Sequence, residues 1–289
     1  MKRPKYFRRK GTSEIIVDFI VSFSFLVVAG SYLYICLWPV LAATRTHTEI
    51  IMDPFGLPTI IHWENFRDVF RLLEVNGNNF WNMLFNSLYF SVGGVFIGQM
   101  TTMSFAYCCT KYKFPGSNLP YTIILITMTL PLYGSGGALY ELIYNLGLVD
   151  SYWHILLAFS GGMGVNFLYY RAVFQNTSDS YAEAAMMDGA GAFQIWFKVM
   201  MPMAKPIFGA LFLLGWIADW NNYGSAMIYL PNLPTLPVGI YQFETEMIYT
   251  ARLDILFAAC AIMALPAVIL YALFNKTITT SVSFGGLKG

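Results

Sequence analysis

Apolar side chains fall along this chain in long blocks, with no alternation. Uncharged stretches occupy residues 19–44, 75–110, 114–140, 151–170 and 255–275, and a sixth, 206–230, is interrupted only by Asp219. A helix rises about 1.5 Å per residue, so about 20 mostly apolar residues cross a hydrocarbon core of about 30 Å. The pattern predicts an all-α, polytopic membrane protein with six spans near residues 18–42, 83–108, 118–142, 152–174, 206–230 and 254–275. The 75–110 block is too long for one helix. Its start, Asn76-Gly77-Asn78-Asn79, is turn chemistry, so the second span is placed from about Met83.

Composition narrows the class. Of 289 residues, 57% are hydrophobic and 11% charged, with a mean hydropathy of +0.54. Soluble domains carry roughly 25% charged residues, so the chain lacks the charged skin of a soluble enzyme or a disordered scaffold. A net charge of +1 also excludes a nucleic-acid binder. The basic start (Lys2, Arg3, Lys5, Arg8, Arg9, Lys10) resembles a signal peptide, but the apolar run behind it is too long and reads as an anchor.

The basic residues orient the chain. Besides those six, Lys111, Lys113, Arg171, Lys198, Lys205, Lys276 and Lys288 fall on one side of the six spans. Arg45, Arg67, Arg71 and Arg252 fall on the other. Lys and Arg concentrate in cytoplasmic loops, which predicts both termini inside. Residues 43–82 then form a long external loop with an amphipathic stretch near 64–74, and 231–252 a second one. Cys36, Cys108, Cys109 and Cys260 lie in apolar runs and read as small buried hydrophobes. His47, His62 and His154 are scattered, with no metal-ligand spacing.

The internal loop 175–205 is the most informative segment. Ser180 followed by Glu183 predicts a capping box and a helix start, and Gly189 a helix stop. A second helical stretch, Phe193 to Met200, reaches Pro202, and Lys205-Pro206 opens the next span. The result is a helix–turn–helix on the cytoplasmic face, with Ala184 and Ala185 leaving its backbone approachable. Asp179, Glu183 and Asp188 are its acids.

Glu183-Ala184-Ala185, three residues, Gly189, nine residues, then Val199-x-Met201-Pro202 is the spacing of the EAA loop of ABC importer permeases, and the chain resembles that family's sugar-importing branch. Val199 and Met201 depart mildly from the family's Ile-x-Leu-Pro ending. Further similarities run along the chain: Leu37-Trp38-Pro39, Trp63-Glu64-Asn65-Phe66, Asn86-Ser87, Ala106-Tyr107, Lys111-Tyr112-Lys113-Phe114, Trp220-Asn221 and Gly285-Gly286-Leu287-Lys288-Gly289.

The resemblance implies a type I importer permease in a bacterial or archaeal cytoplasmic membrane, without catalysis of its own. Its partners would be a second permease, two ATP-binding subunits and an external solute-binding protein, with a carbohydrate as cargo. Glu183, Ala184, Ala185, Asp188 and Gly189 would dock on the ATPase. Glu183 has two roles open to it, capping its own helix or pairing with a basic residue of the ATPase. No G-x-x-x-x-G-K-[ST] phosphate loop occurs in the chain, so ATP and Mg would be bound by the partner and this chain would carry no cofactor.

Within the spans, Asp219 stands beside Trp220, Asn221 and Asn222. An ionisable group in the membrane marks a pathway by default, and amides beside an aromatic ring suit a sugar. The alternatives are an interfacial position or a hydrogen bond to a neighbouring helix. Pro131 with Gly134-Ser135-Gly136-Gly137 breaks the third span and points to a lining or hinge position, and Gly161-Gly162-Met163-Gly164 to close packing. Three other classes are an ABC permease for a non-sugar solute, an intramembrane glycosyl or lipid transferase, and a self-contained channel or secondary transporter. The transferase needs clustered acids or histidines, and the transporter internal repeats and several intramembrane charges. This sequence has neither.

Overall fold

The computed structural model describes residues 11–130, 136–162, 164–250 and 252–285. Its α-helices, in chain order, are α1 (Thr12–Ala42), α2 (His47–Met52), α3 (Glu64–Leu72), α4 (Phe80–Leu88), α5 (Gly94–Lys111), α6 (Leu119–Thr129), α7 (Gly136–Asn145), α8 (Val165–Asn176), α9 (Ser180–Met187), α10 (Ala192–Ile195), α11 (Met201–Met203), α12 (Lys205–Trp220), α13 (Tyr223–Tyr229), α14 (Leu236–Thr250) and α15 (Leu253–Gly285). Two π-helical turns, Tyr89–Gly93 and Trp196–Met200, and a 3-10 helix, Tyr152–Gly162, complete the helical structure.

Among the described residues, three helical runs are long and apolar enough to cross a bilayer: Thr12–Ala42, Phe80–Lys111 and Leu253–Leu273. Ala192–Met203 and Lys205–Trp220, bent by 71° where they meet, make a fourth if counted as one span. The regions expected to hold the third and fourth spans are composite here. The former contains α6 and α7, with Pro131, Gly134 and Ser135 outside the described residues. The latter contains the 3-10 helix and α8, with Met163 outside them.

Several boundaries differ from expectation. The second span begins at Phe80 instead of near Met83, because the Asn79 side chain caps α4 by accepting the Asn82 N–H at 3.0 Å. Asn76 and Gly77 turn with φ of 49° and 75° and close a two-residue antiparallel pairing, Glu74–Val75 with Asn78–Asn79. The 231–252 segment, expected as an external loop, is mostly helix α14, and Pro237 sits in its first turn, where proline is tolerated. The expected 206–230 span divides at Asn221–Asn222, where Asn222 caps α13 through the Ser225 N–H at 3.1 Å.

Two compact units are distinguished: residues up to Val69 with Met247–Ala261, and Phe70–Glu246 with the chain from Ile262. In the first, Trp38 near the end of α1 meets Phe257 edge-on at 5.0 Å and donates its indole N–H to the Pro54 carbonyl at 2.8 Å. Asn65 donates to the carbonyls of Ala43 and Arg45, both at 2.9 Å, and Arg45 to those of Glu49 and Asp53, both at 2.7 Å. These bonds order the segment that follows α1.

In the second unit, a core beneath α5, α8 and the 192–204 segment gathers Phe167, Tyr170, Phe174, Trp196 and Met200. A separate polar clasp ties the 86–87 stretch and the 150–152 segment to the 230–237 turn. Asn86 donates to the Pro234 carbonyl and accepts from the Tyr152 hydroxyl, both at 3.0 Å, and the Ser87 hydroxyl accepts the Leu236 N–H at 2.7 Å. The Asp150 carboxylate accepts the Asn232 backbone N–H at 2.7 Å and its side-chain amide at 2.6 Å. Buried polar groups need partners, and these pairs make the 230–237 turn part of the helical frame. The cysteines are less uniform than expected: Cys109 is buried and Cys260 half-buried, but Cys36 and Cys108 lie on the surface of the chain taken alone.

Candidate functional site

The 175–205 loop is built on a fixed base. Lys111, the last residue of α5, donates to the Thr177 carbonyl at 2.6 Å and to the Asp179 carboxylate at 2.5 Å. That hydrogen bond, and then the Lys111 charge, hold the Asp179 carboxyl below the usual carboxylate range.

Helix α9 follows and ends in a complete Schellman motif. Gly189, at φ 81°, donates to the Met186 carbonyl, and Ala190 donates to the Ala185 carbonyl, both at 2.9 Å. A non-glycine residue in this backbone region costs about 1–2 kcal/mol. Gly189 therefore serves the backbone; a Cβ there would meet nothing within 4 Å.

One face of the loop is anchored. Ala182, Ala185 and Ala190 pack on the core containing Phe174, Ile195, Trp196 and Met200. Tyr107 stands beneath, 4.7 Å from Trp196 and 5.5 Å from Phe174 between ring centres. The other face is open: Tyr181, Glu183, Ala184, Asp188 and Gly189 are exposed, Met187 is 88% exposed and Phe193 75%. Small residues inward and large apolar residues outward make a stiff projection with an uncovered apolar crest.

The predicted capping box does not form. Ser180 is the first helical residue, and the Asp179 position before it is already helical, at φ −68° and ψ −19° with no side-chain cap. A cap needs an extended backbone, and the Asp179 carboxylate is taken by Lys111. The Ser180 hydroxyl instead pairs with that of Ser178 at 2.8 Å. The Glu183 side chain makes no hydrogen bond or ion pair among the described residues.

A cavity of about 430 Å³ lies between the 87–102 stretch, the 3-10 helix, and α12 with α13. Asp219, Trp220 and Asn222 line it; Asn221 does not, and donates its side-chain amide to the Ile217 carbonyl at 2.7 Å. Trp220 is 1% exposed, packs tilted at 5.2 Å from Trp216 and donates its indole N–H to the Met263 carbonyl at 3.1 Å, so its ring packs inside the protein. Pro131 falls outside the described residues.

Sequence reasoning missed the other wall. Ser87, Ser91, Gln99 and Thr102 line the cavity, and Gln99 accepts from the Tyr170 hydroxyl at 2.9 Å. Their spacing puts them on one helix face, a polar stripe that uncharged-run counting does not register. Gly94 and Gly98, also in the wall, leave the space that side chains would fill.

Long apolar helices, an open cavity with hydroxyl, amide and carboxylate groups in an otherwise apolar wall, and a braced loop with an exposed crest are features of a membrane transport subunit. Residues 91–283 match the family described as binding-protein-dependent transport system inner membrane component, and the chain belongs to that family. It is 26% identical over 270 residues to the arabinooligosaccharides transport system permease protein AraQ of Bacillus subtilis (strain 168), covering 92% of this chain and 94% of that one. To the diacetylchitobiose uptake system permease protein NgcG of Streptomyces coelicolor it is 27% identical over 257 residues, covering 87% and 83%. Among solved structures, a bacterial ABC transporter involved in the import of the acidic polysaccharide alginate has a chain that superposes with a TM-score of 0.77 at 25% identity. That match covers 93% of this chain and 98% of the other. Such permeases are non-catalytic subunits.

Proposed function

We propose that this chain is one permease subunit of an ATP-driven carbohydrate importer in a bacterial cytoplasmic membrane, crossing it six times with both ends inside. It works with a second permease, two ATP-binding subunits that hold ATP and Mg, and an external solute-binding protein. The loop is the observation that carries this reading. A lever must transmit force without bending, and α9 is held by Lys111 at its entry, by a Schellman stop at its exit and by alanine packing beneath. Its apolar crest fits a groove on the ATPase, with Glu183 free to pair with a basic residue there.

Saccharide-transporting relatives support the cargo class, as does a cavity lined by hydroxyl and amide groups. The test is uptake into proteoliposomes containing the assembled complex. Oligosaccharide should accumulate only with ATP inside the compartment that the loop faces and binding protein on the other side. Accumulation without ATP contradicts the coupling, and ATP-driven uptake of amino acids but of no sugar contradicts the cargo class.

A further inference from the structure

We infer that Asp219 is an anion filter: this cavity admits neutral or amine-bearing sugar units and rejects uronates and phosphorylated sugars. The inference rests on the reading that the cavity belongs to the sugar path.

The lining carries one acid and no lysine or arginine among the described residues. The Asp219 carboxylate has no hydrogen bond or ion pair among them, so its charge is uncompensated by the fold. His154 is the other titratable group in the wall. Its Nδ1 lies 3.1 Å from the Leu148 carbonyl, which can only accept, so that nitrogen is a committed donor.

The remaining polar groups suit hydroxyls. Asn222 uses its side-chain oxygen to cap α13 and keeps its amide N–H groups. The Asn166 amide makes no hydrogen bond among the described residues, and the buried Thr235 hydroxyl has no partner. A sugar hydroxyl or ammonium can donate to Asp219 while ring oxygens accept from the amides. A uronate brings a second negative charge beside an unpaired carboxylate, and like charges at close range repel. The same fold serves acidic cargo in the alginate transporter, so the fold itself does not set charge preference. Lining side chains do.

The test uses the assembled complex with S225C, which places a thiol in the cavity wall, or A218C if that variant does not assemble. Modification by a cationic and an anionic methanethiosulfonate of matched size is followed at the introduced thiol by peptide mass spectrometry. Relative to a free thiol, the cationic reagent should be favoured at least about tenfold, and D219N should bring the ratio to within about twofold of the free thiol. A ratio that D219N leaves unchanged overturns the inference.

In parallel, uptake is compared for diacetylchitobiose, deacetylated chitobiose and a digalacturonate. The uronate should be excluded by the native protein, and its uptake should rise at least tenfold in D219N. Uronate uptake equal to that of the neutral sugar overturns the filter and leaves the permease reading standing. Asp219-dependent thiol rates with no saccharide taken up at all overturn the carbohydrate reading and leave the filter standing.

Discussion

Lys111 closes on Asp179 at 2.5 Å and on the Thr177 carbonyl at 2.6 Å, tying the C-terminal end of α5 to the entry of the 175–205 loop. K111M removes both contacts and should speed amide exchange across residues 177–190 at neutral pH. The pH dependence has a definite sign. A carboxyl held below its ordinary value contributes above the ordinary carboxylate pKa of about 4 and loses that contribution as pH falls through the lower folded value. Protection of the native loop, meaning exchange corrected for its intrinsic pH dependence, should therefore fall in acid, while K111M should lack that fall.

Gly189 separates backbone from contact. G189V forces a β-branched residue into the left-handed region and should cost about 1–2 kcal/mol of loop structure, uncoupling ATP hydrolysis from transport. G189N should retain most coupling, because asparagine tolerates that conformation. Equal loss in both variants would mean that the hydrogen atom itself is needed at a docking surface. The readout is the ratio of transported sugar to ATP hydrolysed.

Asn86 is 1% exposed and serves Pro234 and Tyr152 together. N86L strands a buried carbonyl and a hydroxyl and should destabilise the protein by about 1–3 kcal/mol, with Y152F costing less. Because the two share one bond, their effects should fall short of additive in a double-mutant cycle on thermal unfolding.

Gly94 opens onto the cavity, and a Cβ there meets nothing within 4 Å. G94L has room at its Cβ and should carry its side chain into the cavity, and replacing glycine within a helix gains about 0.5–1 kcal/mol. Uptake should fall while thermal stability holds or rises.

The fold of the 175–205 loop is legible because its determinants are local: a glycine at a helix stop and alanines at turn spacing leave marks in a few residues. Its capping was misread because Asp179 answers to Lys111, 68 positions away. The cavity was half legible. Asp219 stands out as a charge in an apolar run, whereas Ser87, Ser91, Gln99 and Thr102 are ordinary polar residues until the helix turns them to one side. Trp220 lines the cavity beside Asp219, but its ring packs against Trp216 and its indole N–H is taken by the Met263 carbonyl, contacts that come from residues distant in the chain or a turn away. The break at Asn221–Asn222 was invisible to a count of charges and visible in hindsight as a cap.

The most direct test of the coupling claim is a photo-crosslinking residue at Met187 in the assembled, ATP-hydrolysing complex, with the same probe at Met128 in α6 as control. The account predicts a covalent adduct between position 187 and the ATP-binding subunit, absent at position 128. A complex that hydrolyses ATP and imports sugar, yet yields no such adduct at 187, contradicts it.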